Sequence, residues 1–212
     1  VPAQRDTICS GDSFTLTLIN NAPTTIIPDG TTYSWSLPTV TGGVTGGASA
    51  SGVSIITGTL TNPTNTVQTA TYFITPVSPT GCPGEVFTLT VTVNPTPVIT
   101  PSVLTQIICS GTSTNILLNS SVLNSTYSYA ASSLNGIIGA SSGTVSPIAQ
   151  QLTNPSLQPG TVTYTVTASA NSCPSAPVNV VVTVNPSAIV TANQQQVTIC
   201  SGQNANIQLS ST

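Results

Sequence analysis

Charge is nearly missing from this chain. Of 212 residues, one is basic (Arg5) and four are acidic (Asp6, Asp12, Asp29, Glu85), 2% in all, and there is no Lys, His or Met. One basic side chain cannot neutralise a run of phosphates, which argues against nucleic-acid binding. Without His there is no Ser-His or Cys-His dyad and no imidazole metal ligand. Four scattered carboxylates are too few for a calcium cluster. No apolar run approaches the ~18 residues that would span a bilayer. The expectation is a chain with no catalytic residue, no metal and no cofactor, and not an enzyme. No signal peptide is visible, so the sequence reads as the interior of a longer, processed protein.

What the chain does have is repetition. Thr7-Ile8-Cys9-Ser10-Gly11 returns as Ile107-Ile108-Cys109-Ser110-Gly111 and again as Thr198-Ile199-Cys200-Ser201-Gly202. Leu60-Thr61-Asn62-Pro63 returns as Leu152-Thr153-Asn154-Pro155, and Val91-Thr92-Val93-Asn94-Pro95 as Val182-Thr183-Val184-Asn185-Pro186. The motifs keep their order at a period of roughly 91 to 100 residues, too long for a solenoid unit and right for a sandwich domain. The boundaries expected are 1–95 for a first repeat, 96–186 for a second, and 187–212 for a linker with the first strands of a third. Asn-Pro marks each joint, because proline removes a ladder donor and stiffens the chain.

Within each repeat apolar residues alternate with Thr or Ser. Phe14, Leu16 and Leu18 share one parity, as do Tyr33 and Trp35; Ala70, Tyr72 and Ile74; and Phe87, Leu89, Val91 and Val93. The second repeat offers Ile116 and Leu118, Tyr127 and Tyr129, Val162, Tyr164 and Val166, then Val178, Val180, Val182 and Val184. A period of two puts one face in a core and the Thr face in water. No 3.6-residue period appears. The fold expected is all-β, a tandem pair of immunoglobulin-like sandwiches. Phe73 is the one aromatic residue at outward parity and is a candidate surface contact.

Five cysteines follow the repeats: Cys9, Cys82, Cys109, Cys173 and Cys200. Two pairings fit. Bonds within repeats would join Cys9 to Cys82 and Cys109 to Cys173, leaving Cys200 for a partner outside the chain. A staggered set would join Cys82 to Cys109 and Cys173 to Cys200, and spacing does not separate the two. Geometry favours the first. A last strand of about ten residues runs roughly 33 Å toward the linker, carrying the next cysteine away from Cys82, whereas a disulfide needs Cα atoms within about 7 Å. Either set implies an oxidising compartment outside the cytoplasm.

Repeats that open on Ile-Cys-Ser-Gly, pass through Tyr33-Ser34-Trp35 and Thr-Tyr strands, and close on Val-Thr-Val-Asn-Pro resemble the PKD-like repeats of very large Bacteroidota surface proteins, including SprB-type gliding-motility adhesins exported by the type IX system. The resemblance implies a spacer or adhesive module in a secreted cell-surface filament. Its partners would be neighbouring repeats, identical chains or a surface polysaccharide. It supplies no catalytic residue. Tyr129 stands where the pattern has Trp, which implies looser packing there, and Asp6-Thr7-Ile8 matches an O-glycosylation signal at Thr7. The alternatives are a glycan-binding module using Phe73 and a passive spacer.

Overall fold

Alternating β-branched, aromatic and Thr residues make strands throughout, and Gly, Pro and Asn close them. The computed structural model describes residues 1–193 and 196–211; of the third segment, 187–212, Gln194, Gln195 and Thr212 lie outside the described residues. The first repeat holds β1 (Gln4–Cys9), β2 (Ser13–Leu16), β3 (Thr32–Trp35), β4 (Thr39–Val40), β5 (Ala50–Val53), β6 (Ile56–Thr59), β7 (Gln68–Val77) and β8 (Phe87–Asn94). The second holds β9 (Ile99–Pro101), β10 (Thr105–Cys109), β11 (Thr112–Ser113), β12 (Leu118–Ser120), β13 (Thr126–Leu134), β14 (Gln151–Leu152), β15 (Gly160–Ala170), β16 (Cys173–Pro174) and β17 (Val178–Asn185). Then come β18 (Val190–Ala192) and β19 (Leu209–Ser211), which pair antiparallel.

Both repeats are built alike. The main sheet of the first runs β1-β8-β7-β3-β5, with β4 added on β7, and β2 pairs β6 as the opposing layer. The main sheet of the second runs β10-β17-β15-β13, with β16 added on β15, while β11 pairs β14 and β9 pairs β12. In each repeat the strand that carries Ile-Cys-Ser-Gly lies parallel to the last one, β1 on β8 and β10 on β17, although β3–β5, β3–β7, β7–β8 and β15–β17 pair antiparallel. This single feature decides where the cysteines go.

Parity predicts burial at most of the positions it marks, although Leu16, Leu18, Tyr127 and Val178 are only half-buried. Phe14, Tyr33, Trp35, Ala70, Tyr72, Ile74, Phe87, Leu89, Val91 and Val93 form one buried cluster, joined by Val44, Ile56 and Leu60. In the second repeat Ile116, Leu118, Tyr129, Val162, Tyr164, Val166, Val180, Val182 and Val184 are buried, with Ile137, Ile148 and Leu152. The protein is thus an all-β, tandem immunoglobulin-like sandwich. Looser packing around Tyr129 does not materialise: Tyr129 is 8% exposed and Trp35 9%, and each ring meets a buried tyrosine edge-on, Tyr164 at 5.9 Å and Tyr72 at 6.4 Å.

The compact units do not follow the sequence repeats residue for residue. One unit comprises Val1–Ile99, Ser120–Thr126 and Ala168–Ala176; the other comprises Thr100–Asn119, Tyr127–Thr167 and Pro177–Thr212. The hairpin turn of the second repeat therefore belongs to the first unit. In the third segment Ile189, Val190, Ile199, Ile207 and Leu209 are all exposed.

Candidate functional site: the motif cluster and its disulfide

The three repeated motifs are far apart in sequence but meet at one end of each sandwich. In the first repeat the Ser10 N–H donates to Asn94 O (2.8 Å) and the Gly11 N–H to Leu60 O (2.9 Å). The Asn62 N–H donates to Ser10 Oγ at 2.9 Å. Asn62 Nδ2 donates to Thr66 O at 2.8 Å and Val93 O at 2.9 Å, while its Oδ1 accepts from the Thr64 N–H and hydroxyl. The second repeat repeats the set: Ser110 N–H to Asn185 O, Gly111 N–H to Leu152 O, and Asn154 N–H to Ser110 Oγ. Asn154 Nδ2 reaches Gln158 O at 2.9 Å and Val184 O at 2.7 Å, and its Oδ1 accepts twice from Ser156.

Asn62 and Asn154, each 6% exposed, are thus satisfied hubs that tie the opening strand, a loop and the last strand together. Burial of an amide is tolerated because every polar atom has a partner. Gly11 and Gly111 follow the cysteines because the chain turns there at φ +93° and +85°, a region L side chains avoid. The cluster is structural chemistry throughout: its hydroxyls and amides bond to backbone, and no base stands beside a nucleophile.

The cysteines pair across the sequence repeats, not within them. Cys9 is bonded to Cys173, with Cα atoms 5.6 Å apart and a sequence separation of 164. Cys82, Cys109 and Cys200 are free and exposed. The expected bonds Cys9–Cys82 and Cys109–Cys173 are corrected, and so is the staggered Cys173–Cys200. The reason lies in the parallel pairing. Because β1 runs alongside β8 in the same direction, Cys9 sits opposite Asn94, at the linker end of the sheet. Cys82 precedes β8, whose eight residues span about 26 Å, so the two cysteines of one repeat lie at opposite ends. Cys109 sits likewise opposite Asn185, a full strand from Cys173. The strand-end cysteine instead meets the hairpin turn of the next repeat, where Asn94 Nδ2 also donates to Asn171 O at 3.2 Å. Cys9, Asn94, Asn171 and Cys173 all lie in the first compact unit.

Closing a loop of this length stabilises the folded chain by about 5 kcal/mol if the effect is one of chain entropy. Asn171 and Ser172 hold the turn at φ +50° and +66°, where the first repeat uses Gly81 at +84°.

The two other residues singled out by sequence stay apart from this cluster. Thr7 is exposed on edge strand β1, its N–H bonded to Asp6 Oδ1 at 2.7 Å. Phe73, 54% exposed on β7, sits opposite Thr88 and has no ring partner among the described residues. Among the described residues no three Asp, Glu, His or Cys gather as a metal site, and no helix is long and apolar enough to cross a membrane.

Burial keeps three tyrosines protonated. Tyr33 and Tyr72 are raised above the usual phenol value by desolvation. Tyr164 is pushed up to about 12, mainly by burial and secondarily by Tyr129.

No curated protein gives a match. Among solved structures, the chain is similar to human mucin-like protocadherin EC1-2 (10% identity, TM-score 0.37, covering 87% of this chain and 96% of that one). It is also similar to the titin I-band fragment I67–I69 (11% identity, TM-score 0.35, 99% and 84%). A third is the N-terminal four Ig domains of Dscam1 isoform 1.9 (11% identity, TM-score 0.30), where the match covers 87% of this chain but only 44% of the Dscam1 fragment. A family model for the PKD-like domain matches residues 6–97 and 106–188, most of both full repeats. The chain belongs to the PKD-like domain family.

Proposed function

We propose that the chain is a mechanical segment of a large secreted cell-surface protein, a stalk or filament of the kind used by SprB-type gliding-motility adhesins. PKD-like and immunoglobulin-like domains suit a structural or adhesive extracellular role. The observation that carries the proposal is the bond from Cys9 to Cys173, which joins one repeat to the next and requires an oxidising surround. Tension applied between the termini crosses from Cys9 to Cys173 through this bond, so the chain between them is kept out of the load path while β1 and β17 carry it. The surface is charge-poor and rich in Thr, so its strand edges lack the lysines that usually discourage edge pairing. Lateral contact with identical chains or a surface polysaccharide fits such edges, and glycosylation of Thr7 on edge strand β1 would modulate it. The chain is proposed not to be an enzyme.

Single-molecule pulling between the two termini tests this. The oxidised chain should release little length on unfolding. Reductant should free the stretch between the bonded cysteines, 164 positions apart in sequence, adding on the order of 550 Å at ~3.4 Å per residue. Equal release with and without reductant would refute the mechanical role.

A further inference from the structure

The two cysteine-bearing hairpins fold alike. In the first, Gly84 N–H donates to Pro76 O at 2.8 Å and Pro83 bridges Val77; in the second, Ser175 N–H donates to Ala168 O at 2.7 Å and Pro174 pairs Ser169. Their surroundings differ. In the second hairpin Ala168, Ala170, Cys173 and Ser175 are all buried, and Cys173 has no exposed surface. In the first, Pro76 and Ser78 are half-buried, while Cys82, Pro83 and Gly84 are exposed. An apolar groove lined by Ile26, Tyr33, Pro76, Cys82 and Pro83 stands open there, with Ile26 69% exposed.

The strand-end cysteines show the same asymmetry. Cys9 is half-buried, and Asn94, Pro95 and Pro97 next to it are buried. Their counterparts in the second repeat are open: Cys109 is exposed, and Asn185 and Pro186 are half-buried. Asn185 has the position from which Asn94 caps the Cys173 turn. One joint within the chain is closed, and an open half of the same joint stands on either side of it.

We propose that Cys82 and Cys109 are half-joints for neighbouring PKD-like repeats of the same kind. Cys82 takes the strand-end cysteine of a preceding repeat, and Cys109 takes the Cys-Pro hairpin cysteine of a following one. Repeats in tandem are then stitched covalently at every junction, each bond linking a strand end to the hairpin of the next repeat. The bond forms by thiol–disulfide exchange with a disulfide oxidant of the secretory compartment. One thiolate attacks the oxidant to give a mixed disulfide, and the second thiolate displaces it. Two protons leave the cysteines, and their two electrons reduce the oxidant to a pair of thiols. The groove beside Cys82 receives the incoming strand end, as the Ala168–Ala176 hairpin already does around Cys9. This inference deepens the mechanical reading and rests on it.

Counting thiols in extended chains tests it. The native chain has three. Copying residues 96–186 in tandem after residue 186 adds two cysteines and, on this account, one bond. After refolding in glutathione disulfide buffer, three alkylatable thiols should remain, and Cys109→Ser in that chain should leave four. A count of five in the extended chain, or fewer than four in the variant, overturns the pairing. Copying residues 1–95 ahead of Val1 asks the same of Cys82, with Cys82→Ser as its control. The Cys9–Cys173 peptide in each digest reports that the parent repeats have folded, and a chain that keeps it decides the outcome. Its loss from both extended chains contradicts selective joints. Five thiols with Cys9–Cys173 intact would overturn this inference alone, leaving the pulling experiment to judge the mechanical role.

Discussion

The two repeats fill the same space in their cores with opposite choices. In the first, Phe14 on β2 stands opposite Gly58 on β6, and its ring packs 5.5 Å from Tyr72. A Cβ at Gly58 would lie 3.0 Å from that ring, so the glycine makes room for the phenylalanine. The second repeat has Thr114 and Gln150 at these places. Thr114 is buried and donates to Ile148 O at 2.8 Å, and Gln150 N–H donates to Thr114 Oγ1 at 3.0 Å. The Gln150 side chain takes the vacated space, accepting from Tyr164 OH and Ser141 N–H at 2.9 Å and donating to Ser141 O at 2.8 Å. Large-and-small has become small-and-large, with a polar network replacing an aromatic contact. Cores tolerate such a change when volume is kept and every buried polar atom is paired. By contrast, the Asn62 and Asn154 hubs are the same almost bond for bond. Between these two repeats the core pair differs while the hub at the strand ends is kept.

The sharpest way to break this contrast is at the hubs. Asn62→Ala and Asn154→Ala each remove four side-chain hydrogen bonds and orphan a buried carbonyl, so each should cost about 3 to 4 kcal/mol. Chemical denaturation should give similar losses in both repeats, and a hub that tolerates alanine would dissolve the distinction.

The Phe14/Gly58 pair calls for a double-mutant cycle. Phe14→Thr alone should cost about 3 kcal/mol through the cavity it leaves, and Gly58→Gln alone about 2 through overpacking. Together they should cost at least ~1 kcal/mol less than the sum of the singles. Strict additivity would mean that the pairs are unrelated.

The smallest effect is with pH. Tyr164 holds its proton in the folded chain up to about pH 12, whereas in the unfolded chain it titrates near 10.0. Its contribution is complete below pH 10 and is lost as pH rises from there toward 12, on the order of 2 kcal/mol in all. Tyr164→Phe should flatten the alkaline fall in stability, and a tyrosinate absorbance titration should show the buried phenols ionising late. An unchanged alkaline slope in the variant would remove Tyr164 as the cause.

Much of the fold was legible because alternation is local. Strands such as β7, β8, β15 and β17, which pair an aliphatic face with Thr, could be placed from parity alone, and Leu89, Val91, Val182 and Val184 are fully buried. The recurrence of Asn-Pro and Cys-Ser-Gly marked the cluster residues without revealing that they meet. Their meeting depends on β1 lying parallel to β8, a contact across more than eighty residues that no local pattern encodes. The same pairing turned the strand argument for disulfides within repeats on its head. The length of β8 separates the two ends of a repeat, but Cys9 lies at the far end with Asn94, not at the near end with Cys82. The Phe14/Gly58 exchange was hidden for a related reason, since it needs the register of β2 on β6.

A peptide map of the oxidised native chain under non-reducing conditions tests the joint most directly. The account predicts one crosslinked pair containing Cys9 and Cys173, with Cys82, Cys109 and Cys200 alkylated as thiols. Recovery of Cys9 linked to Cys82, or of Cys109 linked to Cys173, would contradict it.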